Sequence, residues 1–515
     1  MATATAIPEG RGGDGPPAML GGYAALAEGA WMGAAQASDV LEPLGLAAPR
    51  RRWARPRLPR LGGLLTREFS IAEAAFLLMA SFFVSALLGA VRQILFNAAF
   101  GAGAEANAYY AAFRLPDTLF SLIAGGALSS ALIPVLLGAT REGGEAAGLR
   151  LTNLVLTALL AVFALVVALG EIFTPAFVTG LLAPGFDAPT SALTVTLTRI
   201  MLLQTLILAV GSVATAVLNS RNQFLLTALS VASHNLALVA GIVVARLVPG
   251  VGIYGPTWGV VGGAALQVLI LLPGLVGRRF RYRPAWDPAD PRLREVVRLL
   301  IPNGLAVGVG YAGFILDTAF ASRAPEQAGL PALQNAWLLV GLPIALLGQA
   351  VGQSAFPRLA AQADAGDWAR LRLTLARSLG AAVALALPAL LGLLVLGRPV
   401  IRVLFEHGKY GADAGALTYA VLVPYAIGLP AYVATEVVTR GLIALRDTRT
   451  PLVTNSLQFA GRAVLISLLL GVAGVRAIPI AFAVAASVET VALATILLYK
   501  VQRRLRPRVA PALPA

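Results

Sequence analysis

The chain has 515 residues, of which 58% are hydrophobic and 13% charged, and its mean hydropathy is +0.78. A water-soluble domain carries nearer a quarter charged residues, so this composition points to lipid as the solvent. The absence of cysteine excludes disulfides, thiolate metal sites and thiol catalysis; the two histidines, His234 and His407, are too scattered for a histidine-built metal site; and the net charge of +15 sits mainly in loops between apolar runs, which argues against nucleic acid.

Residues 1–68 are rich in Gly, Ala and Pro and lack the apolar core of a signal peptide. They read as a disordered cytoplasmic tail, with Arg50, Arg51, Arg52, Arg55, Arg57 and Arg60 placed to meet anionic lipid headgroups. A start codon further along the chain is an alternative reading. Twelve apolar runs follow, at 71–92, 107–138, 151–171, 193–219, 223–245, 256–277, 297–320, 332–357, 378–397, 416–444, 452–472 and 479–499. A run of roughly 20 apolar residues crosses the hydrocarbon core. It does so as a helix, because the backbone must bond to itself there. The second and tenth runs are long enough to tilt or break, and Pro116, Gly125 and Gly126 are candidates to interrupt the second. Residues 501–515 form a second basic tail. The expected class is an all-α integral membrane protein.

Loop charge sets the orientation. With the N-terminus inside, the inner loops carry sixteen Lys and Arg, among them Arg278, Arg279, Arg281 and Arg283, against six in the outer loops. Cytoplasmic loops carry the excess of basic residues. Both ends are therefore expected in the cytoplasm, with an even number of spans in the inner membrane.

Two segments recur. Ala216-Val-Leu-Asn-Ser-Arg-Asn222 resembles Gly441-Leu-Ile-Ala-Leu-Arg-Asp447 at an offset of 225, and Ser129-Ser-Ala-Leu-Ile-Pro134 resembles Gly352-Gln-Ser-Ala-Phe-Pro357 at an offset of 223. Six spans separate the copies, and an even number preserves orientation. The expectation is two parallel six-helix lobes, residues 69–285 and 286–500, around a central cavity. Transporters place their substrate path between such repeats.

Several motifs, in order, carry a resemblance. They are Phe100-Gly-Ala-Gly103, Ala108-Tyr-Tyr-Ala-Ala-Phe-Arg-Leu-Pro116, Ala131-Leu-Ile-Pro134, Ala183-Pro-Gly-Phe186, Leu218-Asn-Ser-Arg-Asn-Gln-Phe224, Leu404-Phe-Glu-His-Gly-Lys-Tyr410 and Arg446-Asp-Thr-Arg-Thr-Pro451. Together, over residues 70–500, they resemble the MurJ (MviN) lipid II flippases, part of a multidrug, oligosaccharidyl-lipid and polysaccharide exporter superfamily built from two six-helix lobes. The resemblance implies a cavity whose arginines hold the pyrophosphate of an undecaprenyl-linked cell-wall precursor, and it implies cell-wall synthesis proteins as partners. Arg forks suit phosphate oxygens, the more so in a low-dielectric cavity. By this match Arg92 takes the place of the family's second first-span arginine, and Arg114 is the basic residue of the Phe-basic-Leu-Pro motif. Elsewhere the chain departs from the pattern. Ala86 replaces an arginine, Asn107 an aspartate, Phe120 and Ser121 an arginine pair, Gly125 a glutamate, and Leu338 the eighth-span arginine. The family usually has fourteen spans.

Ionisable residues inside spans are functional candidates by default. Arg92, Arg114 and Asn107, with Arg440 and Arg462, are the candidate substrate-binding set. Asp317, Glu436 and Glu489 are candidates for gating or ion coupling. The plain alternatives are a snorkelling Arg92, an Arg114–Asp117 pair, a Glu436–Arg440 pair four residues apart, and a Glu489–Arg462 pair. His234-Asn235, Gln204, Gln349 and Gln353 read as interhelical hydrogen-bonding groups. Gly341, Gly348 and Gly352 read as close-packing positions, and Glu406-His-Gly-Lys409 as a solvated outer turn.

No Walker A loop or hydrolase constellation is present, so no cofactor is expected; membrane potential or an ion gradient would drive a carrier. Three functions compete: a lipid II flippase working by alternating access, an exporter of another glycolipid, polysaccharide or small cation, and a non-transporting scaffold. A cavity lined by Arg92 and Arg114 favours the first. A cavity dominated by Asp317, Glu436 and Glu489 favours cation export. A filled, dry interior favours the scaffold.

Overall fold

The structure is a computed structural model that describes residues 71–124, 127–276 and 280–505. The tail read from residues 1–68, with its arginine cluster, lies outside the described residues. Among the described residues the chain is helical throughout, with no strand. We number the long helices α1 (Ile71–Phe100), α2 (Ala104–Ala124), α3 (Ala127–Phe177), α4 (Ala188–Asn219), α5 (Phe224–Leu247), α6 (Tyr254–Val276), α7 (Pro291–Ser322), α8 (Gly329–Pro343), α9 (Ala350–Asp364), α10 (Trp368–Leu404), α11 (Ala412–Ala444), α12 (Arg449–Ala473) and α13 (Ala477–Leu505).

Nine helical runs among the described residues are long and apolar enough to cross a membrane, against the twelve expected. Two of the nine, Leu128–Leu182 and Arg449–Leu505, are 55 and 57 residues long. A straight helix of that length would measure about 80 Å, against a hydrocarbon core of about 30 Å. Each run turns within itself, the first at Gly143 and Gly144, whose backbones leave the helix, and the second at Gly474, whose φ is +57°. Helix α7 is not among the nine; its first turns carry Arg292, Arg294, Glu295 and Arg298.

Local chemistry sets several boundaries. The Asp187 carboxylate accepts from the Thr190 N–H at the start of α4, Asp290 from Arg292 and Leu293 at the start of α7, and Asp367 from Arg370 at the start of α10. Each satisfies an N–H that the first turn leaves orphaned. Gly125 and Gly126, candidates to interrupt the second span, lie outside the described residues, between the end of α2 and the start of α3. Pro116 does not break α2. The tenth span is one unbroken helix, α11, despite Pro424 and Pro430. The eighth span is the interrupted one: after Pro343 the chain makes a π-helical turn, Ile344–Gln349, before α9 resumes. Such turns absorb an extra residue and change the helix face.

The repeat is visible in backbone detail. After α4 the Gln223 N–H donates to the Leu218 carbonyl (3.0 Å) and Asn222 to Asn219 (3.1 Å); after α11 the Asp447 N–H donates to Leu442 (3.0 Å) and Arg446 to Ile443 (2.8 Å). Asn222 (φ +57°) and Arg446 (φ +60°) are the two non-glycine residues with positive φ among the described residues. Both turns are the same left-handed helix cap. The structural register is 224 residues, one less than the offset of 225 that side-chain likeness suggested.

Helices α1–α6 pack chiefly on one another, and α8–α13 pack around the buried α11. Helix α7 is the exception, because it lies mainly against α2 and α3 of the first set. One apolar core joins both sets through Phe96, Tyr109, Tyr110, Leu330, Leu333 and Tyr410. A second lies within the first set and α7, around Leu132, Phe163, Ala209, Leu271 and Val296. Large apolar side chains such as Leu391, Val395, Leu396 and Val403 of α10 point outward. That is the pattern for a lipid-facing helix, whose solvent is itself apolar. The first residues of the expected C-terminal tail are still helical, and Arg504 stacks 4.5 Å over the Trp368 ring.

Candidate functional site

A cavity of about 210 Å³ lies between the two sets of helices, bounded by α1, α2, α4, α5 and α6 on one side and α7 and α8 on the other. Arg92 of α1 and Arg114 of α2 both line it. Arg92 donates from Nη1 to Asn235 Oδ1 (3.3 Å), and Asn235 in turn donates to Ser85 Oγ (3.0 Å) and the Ser85 carbonyl (3.2 Å). Arg114 donates to Thr318 Oγ1 (3.3 Å) and Gln334 Oε1 (3.2 Å), and its guanidinium lies 5.2 Å from the centre of the Phe314 ring. Neutral neighbours thus help to orient each guanidinium. Asp117 is the one acid on the cavity wall and lies within electrostatic reach of both arginines.

The rest of the wall is amides and aromatic rings. Gln93, Gln204, Gln267, Gln334 and Asn235 supply the amides; Tyr109, Phe113, Phe120, Phe314 and Trp337 supply the ring faces. Gln204, read from sequence as an interhelical hydrogen-bonding group, makes no hydrogen bond among the described residues. His234 lines the cavity with its ring against Gly263 of α6, where an added Cβ would come within 2.8 Å of Nδ1.

At the end where α1 turns into α2, the two sets of helices are locked together. Gln93 Nε2 donates to Asn335 Oδ1 and to the Tyr110 hydroxyl (both 2.6 Å), and Asn97 Nδ2 donates to the same Asn335 oxygen (3.0 Å). Asn107 donates to the Gln327 carbonyl and accepts from the Leu330 N–H (3.3 Å). The Lys409 N–H donates to the Ala98 carbonyl (3.0 Å), and the Gly185 N–H to Ser322 Oγ (3.1 Å). Two glycines with positive φ permit this approach. A Cβ on Gly101 would sit 2.7 Å from the Lys409 carbonyl oxygen, and one on Gly408 would overlap the Ala98 carbonyl. In the turn Glu406–Lys409, His407, Gly408 and Lys409 are exposed, as expected of a solvated turn, yet its backbone also touches the first helix set through Lys409 and Gly408; Glu406 pairs with Arg398 and Tyr410 is buried. Four of the motifs that carried the family resemblance supply residues to these contacts: Gly101, Tyr110, Gly185 and Gly408-Lys409.

The other sequence-predicted residues lie off the cavity wall. Asn107, expected at the cavity, belongs to the interlobe lock. Arg462 pairs with Asp317 and stacks 4.5 Å over Phe482, so the Glu489–Arg462 pair does not form. Glu489 accepts a hydrogen bond from Thr454 (3.2 Å). Glu436 and Arg440 pack against Gly348 and Gly352, where added Cβ atoms would stand 3.1 and 3.5 Å from the Cγ atoms of Glu436 and Arg440. Gly341, grouped with them from sequence, has nothing within 4 Å of such a Cβ. Sequence reasoning missed the Gln93–Asn97–Asn335 network and the amide wall. A polar residue every few positions in an apolar run was the available signal. No group of three or more His, Asp or Glu among the described residues is placed to hold a metal.

By the criterion set from sequence, the cavity is of the arginine type: Arg92 and Arg114 line it, while Asp317, Glu436 and Glu489 do not. A family model described as Lipid II flippase MurJ matches residues 96–510. The lipid II flippase MurJ of Burkholderia cenocepacia is 30% identical over 377 residues, covering 72% of each chain. Among solved structures, the lipid II flippase MurJ in an inward closed conformation superposes with a TM-score of 0.70 at 22% identity, covering 84% of this chain and 91% of that one. An inward-facing multidrug resistance transporter of the MATE family reaches the same TM-score at 12% identity, covering 85% of this chain and all of that one. These last two likenesses concern the fold.

Proposed function

The chain belongs to the MurJ family of lipid II flippases, and from that premise we propose that it moves lipid II, an undecaprenyl-diphosphate-linked cell-wall precursor, across the inner membrane by alternating access, with Arg92 and Arg114 holding the diphosphate. The observation that carries the assignment of residues is their convergence: two guanidinium groups from adjacent helices face one cavity between the two helix sets. Each offers five N–H donors in a planar fork, which pairs with phosphate oxygens more directionally than an ammonium does. At 210 Å³ the cavity is smaller than the roughly 300–1,000 Å³ that encloses a drug-sized ligand. In this conformation it takes part of a headgroup, and the remainder enters as the lobes separate.

Orientation follows from loop charge: both termini cytoplasmic, the chain crossing twelve times, and the Gly101 end outside. The lock at that end then closes the outer side, and transport requires Gln93, Asn97, Asn107 and Ala98 to part from Asn335, Gln327 and Lys409. Those groups are polar, so once parted they are solvated by water. That lowers the cost of opening compared with leaving buried groups unpaired. Membrane potential or an ion gradient supplies the driving force, with Asp317, Glu436 and Glu489 as the membrane-embedded acids available for coupling. The basic tails meet anionic lipid, and cell-wall synthesis proteins are the natural partners. Arg462 leaves the substrate-binding set, because its guanidinium pairs with Asp317; Arg440 is not on the wall of this cavity and stays a candidate for the path once the lobes separate. The cation-exporter reading needs an acidic cavity, and this wall carries one acid against two arginines.

Complementation tests the reading. The chain is expressed in a bacterium depleted of its own lipid II flippase. Restored growth is the expected result. Failure of a well-inserted chain to restore growth in several hosts would reject lipid II as the cargo.

A further inference from the structure

Gln204 is the buried amide of the cavity wall that no neighbour claims among the described residues. It is 2% exposed, it lines the cavity, and no hydrogen bond ties it to any described residue. Its amide atoms are not among the fully enclosed unpartnered polar atoms of the molecule, so they border the cavity space. Gln267 of α6 is likewise on the wall and likewise without a partner. By contrast Gln93, Gln334 and Asn235 are all engaged by neighbours. A buried amide that makes no hydrogen bond is destabilising, by roughly 1–3 kcal/mol in mutational data. Such groups are rare in native proteins unless a ligand or water completes them.

The two amides differ in depth. Gly211 of α4 faces Val268 of α6, and the two helices run in the same direction. Gln204 therefore lies about 9–10 Å further along the bundle axis than Gln267, given the 1.5 Å rise per residue. The same wall carries the two arginines and the ring faces of Phe113, Phe314 and Trp337. An amide offers two donors and an acceptor, which suits hydroxyl and acetamido groups. Flat apolar rings suit the C–H faces of a sugar. Being uncharged, neither group attracts a diphosphate as strongly as a guanidinium does.

We infer that Gln204 and Gln267 form a saccharide-reading subsite beside the arginine pair, recognising hydroxyl and acetamido groups of the cargo's headgroup. This rests on the reading of the cavity as a lipid-diphosphate carrier and adds the determinant that separates a glycosylated cargo from the bare lipid diphosphate. A site built to hydrogen-bond a substrate discriminates against an analogue lacking those groups, because the site's own polar atoms are then left unpaired.

The test uses the full chain in lipid nanodiscs and two probes, undecaprenyl diphosphate and lipid II, with affinities measured by native mass spectrometry. Gln204→Leu and Gln267→Leu keep side-chain volume and remove the amide, and Gln204→Asn keeps an amide on a shorter stem. In the wild type, lipid II is expected to bind more tightly than undecaprenyl diphosphate. Each leucine variant is expected to reduce that ratio by about fivefold to tenfold, as loss of one or two neutral hydrogen bonds implies. Gln204→Asn should lie between. An unchanged ratio in both leucine variants would overturn the inference and leave the diphosphate reading intact. Wild-type protein that binds neither lipid would instead remove the carrier reading on which the inference rests. Gln267 is partly exposed, so its variant keeps the test decisive if the buried Gln204→Leu fails to fold.

Discussion

Asp317 of α7 and Arg462 of α12 form an ion pair inside the bundle, with 13% and 7% of their side chains exposed, and the Arg462 guanidinium lies 4.5 Å from the centre of the Phe482 ring. The pair connects α7, which packs mainly on the first helix set, to the second set. Breaking a buried pair from one side leaves an uncompensated charge and costs about 3–5 kcal/mol. Arg462→Ala and Asp317→Ala should each lower the melting temperature of the detergent-purified protein sharply. The double variant Asp317→Leu with Arg462→Met should recover most of the loss, because a well-packed apolar pair replaces an ion pair at little net cost. Melting temperatures of the three proteins check this; a double variant no better than the singles would contradict it.

Arg92 and Arg114 are expected to act through guanidinium geometry rather than through charge alone. Replacing either with Ala removes charge-assisted hydrogen bonds and should weaken lipid II binding by roughly tenfold to a hundredfold. Replacement with Lys keeps the charge but not the fork, and should recover only part of that affinity. Binding of lipid II to the four variants in nanodiscs reads this directly.

The glycine pair Gly101 and Gly408 lets the two helix sets meet closely at the end where α1 turns into α2. Gly408 has φ +59°, and an added Cβ would strike the Ala98 carbonyl. Gly408→Ala should therefore destabilise the closed state from both backbone strain and overlap. Because the chain has no native cysteine, spin labels can be placed at Glu105→Cys and Asp413→Cys, both exposed at this end. The distance distribution between them should shift to longer values in the Gly408→Ala background.

At the opposite end Lys500 and Thr450 both donate to the Asp447 carboxylate. Partial burial opposes ionisation of Asp447, but these hydrogen bonds and the Lys500 charge outweigh it and hold its pKa below the ordinary value. A depressed carboxylate pKa stabilises the fold fully above the unfolded value, about 3.9, and that stabilisation is lost as pH falls through the lower folded value. The wild type should therefore keep this contribution down to about pH 4 and lose it below, whereas Asp447→Asn should lack it at every pH. Melting curves of both proteins between pH 3 and about pH 7 show the difference.

The twin caps give a stabilising substitution. Arg446 holds a left-handed conformation that glycine adopts without penalty, and its ion pair with Asp364 is exposed and of small worth. Arg446→Gly should raise stability by up to about 1 kcal/mol, and Asn222→Gly by less, because asparagine tolerates that conformation. Thermal melting again decides.

Much of the architecture was legible because lipid imposes a simple code. Apolar runs become helices, and the interruptions at Gly143-Gly144, 220–223 and 445–448 fall close to where the runs end. Span counting was less direct, because turns at Gly144 and Gly474 are so short that helical hydrogen bonding nearly bridges them. Arg92 and Arg114 were readable as cavity candidates because a charge inside a span has few structural reasons to be there, and both line the cavity. Arg462 carried the same signal, yet its partner, Asp317, lies 145 positions away, and nothing in local spacing distinguished it from Glu489. The role of Gly408 was hidden for another reason: a polar turn can be exposed to water and still touch the opposite lobe through its backbone, and only the second fact needs the fold. Glutamines such as Gln204 and Gln93 differ only in whether a neighbour claims their amide, and that is a property of three dimensions.

The central claim is that lipid II crosses through the cavity between Arg92 and Arg114. The most direct measurement is the accessibility of lipid II headgroups to an impermeant reagent at the outer surface of spheroplasts depleted of their own flippase and expressing this chain. The account predicts that the wild type restores outward exposure and that the Arg92→Ala, Arg114→Ala double variant, present in the membrane at equal amount, does not. Equal exposure in both, or none with the wild type, would contradict it.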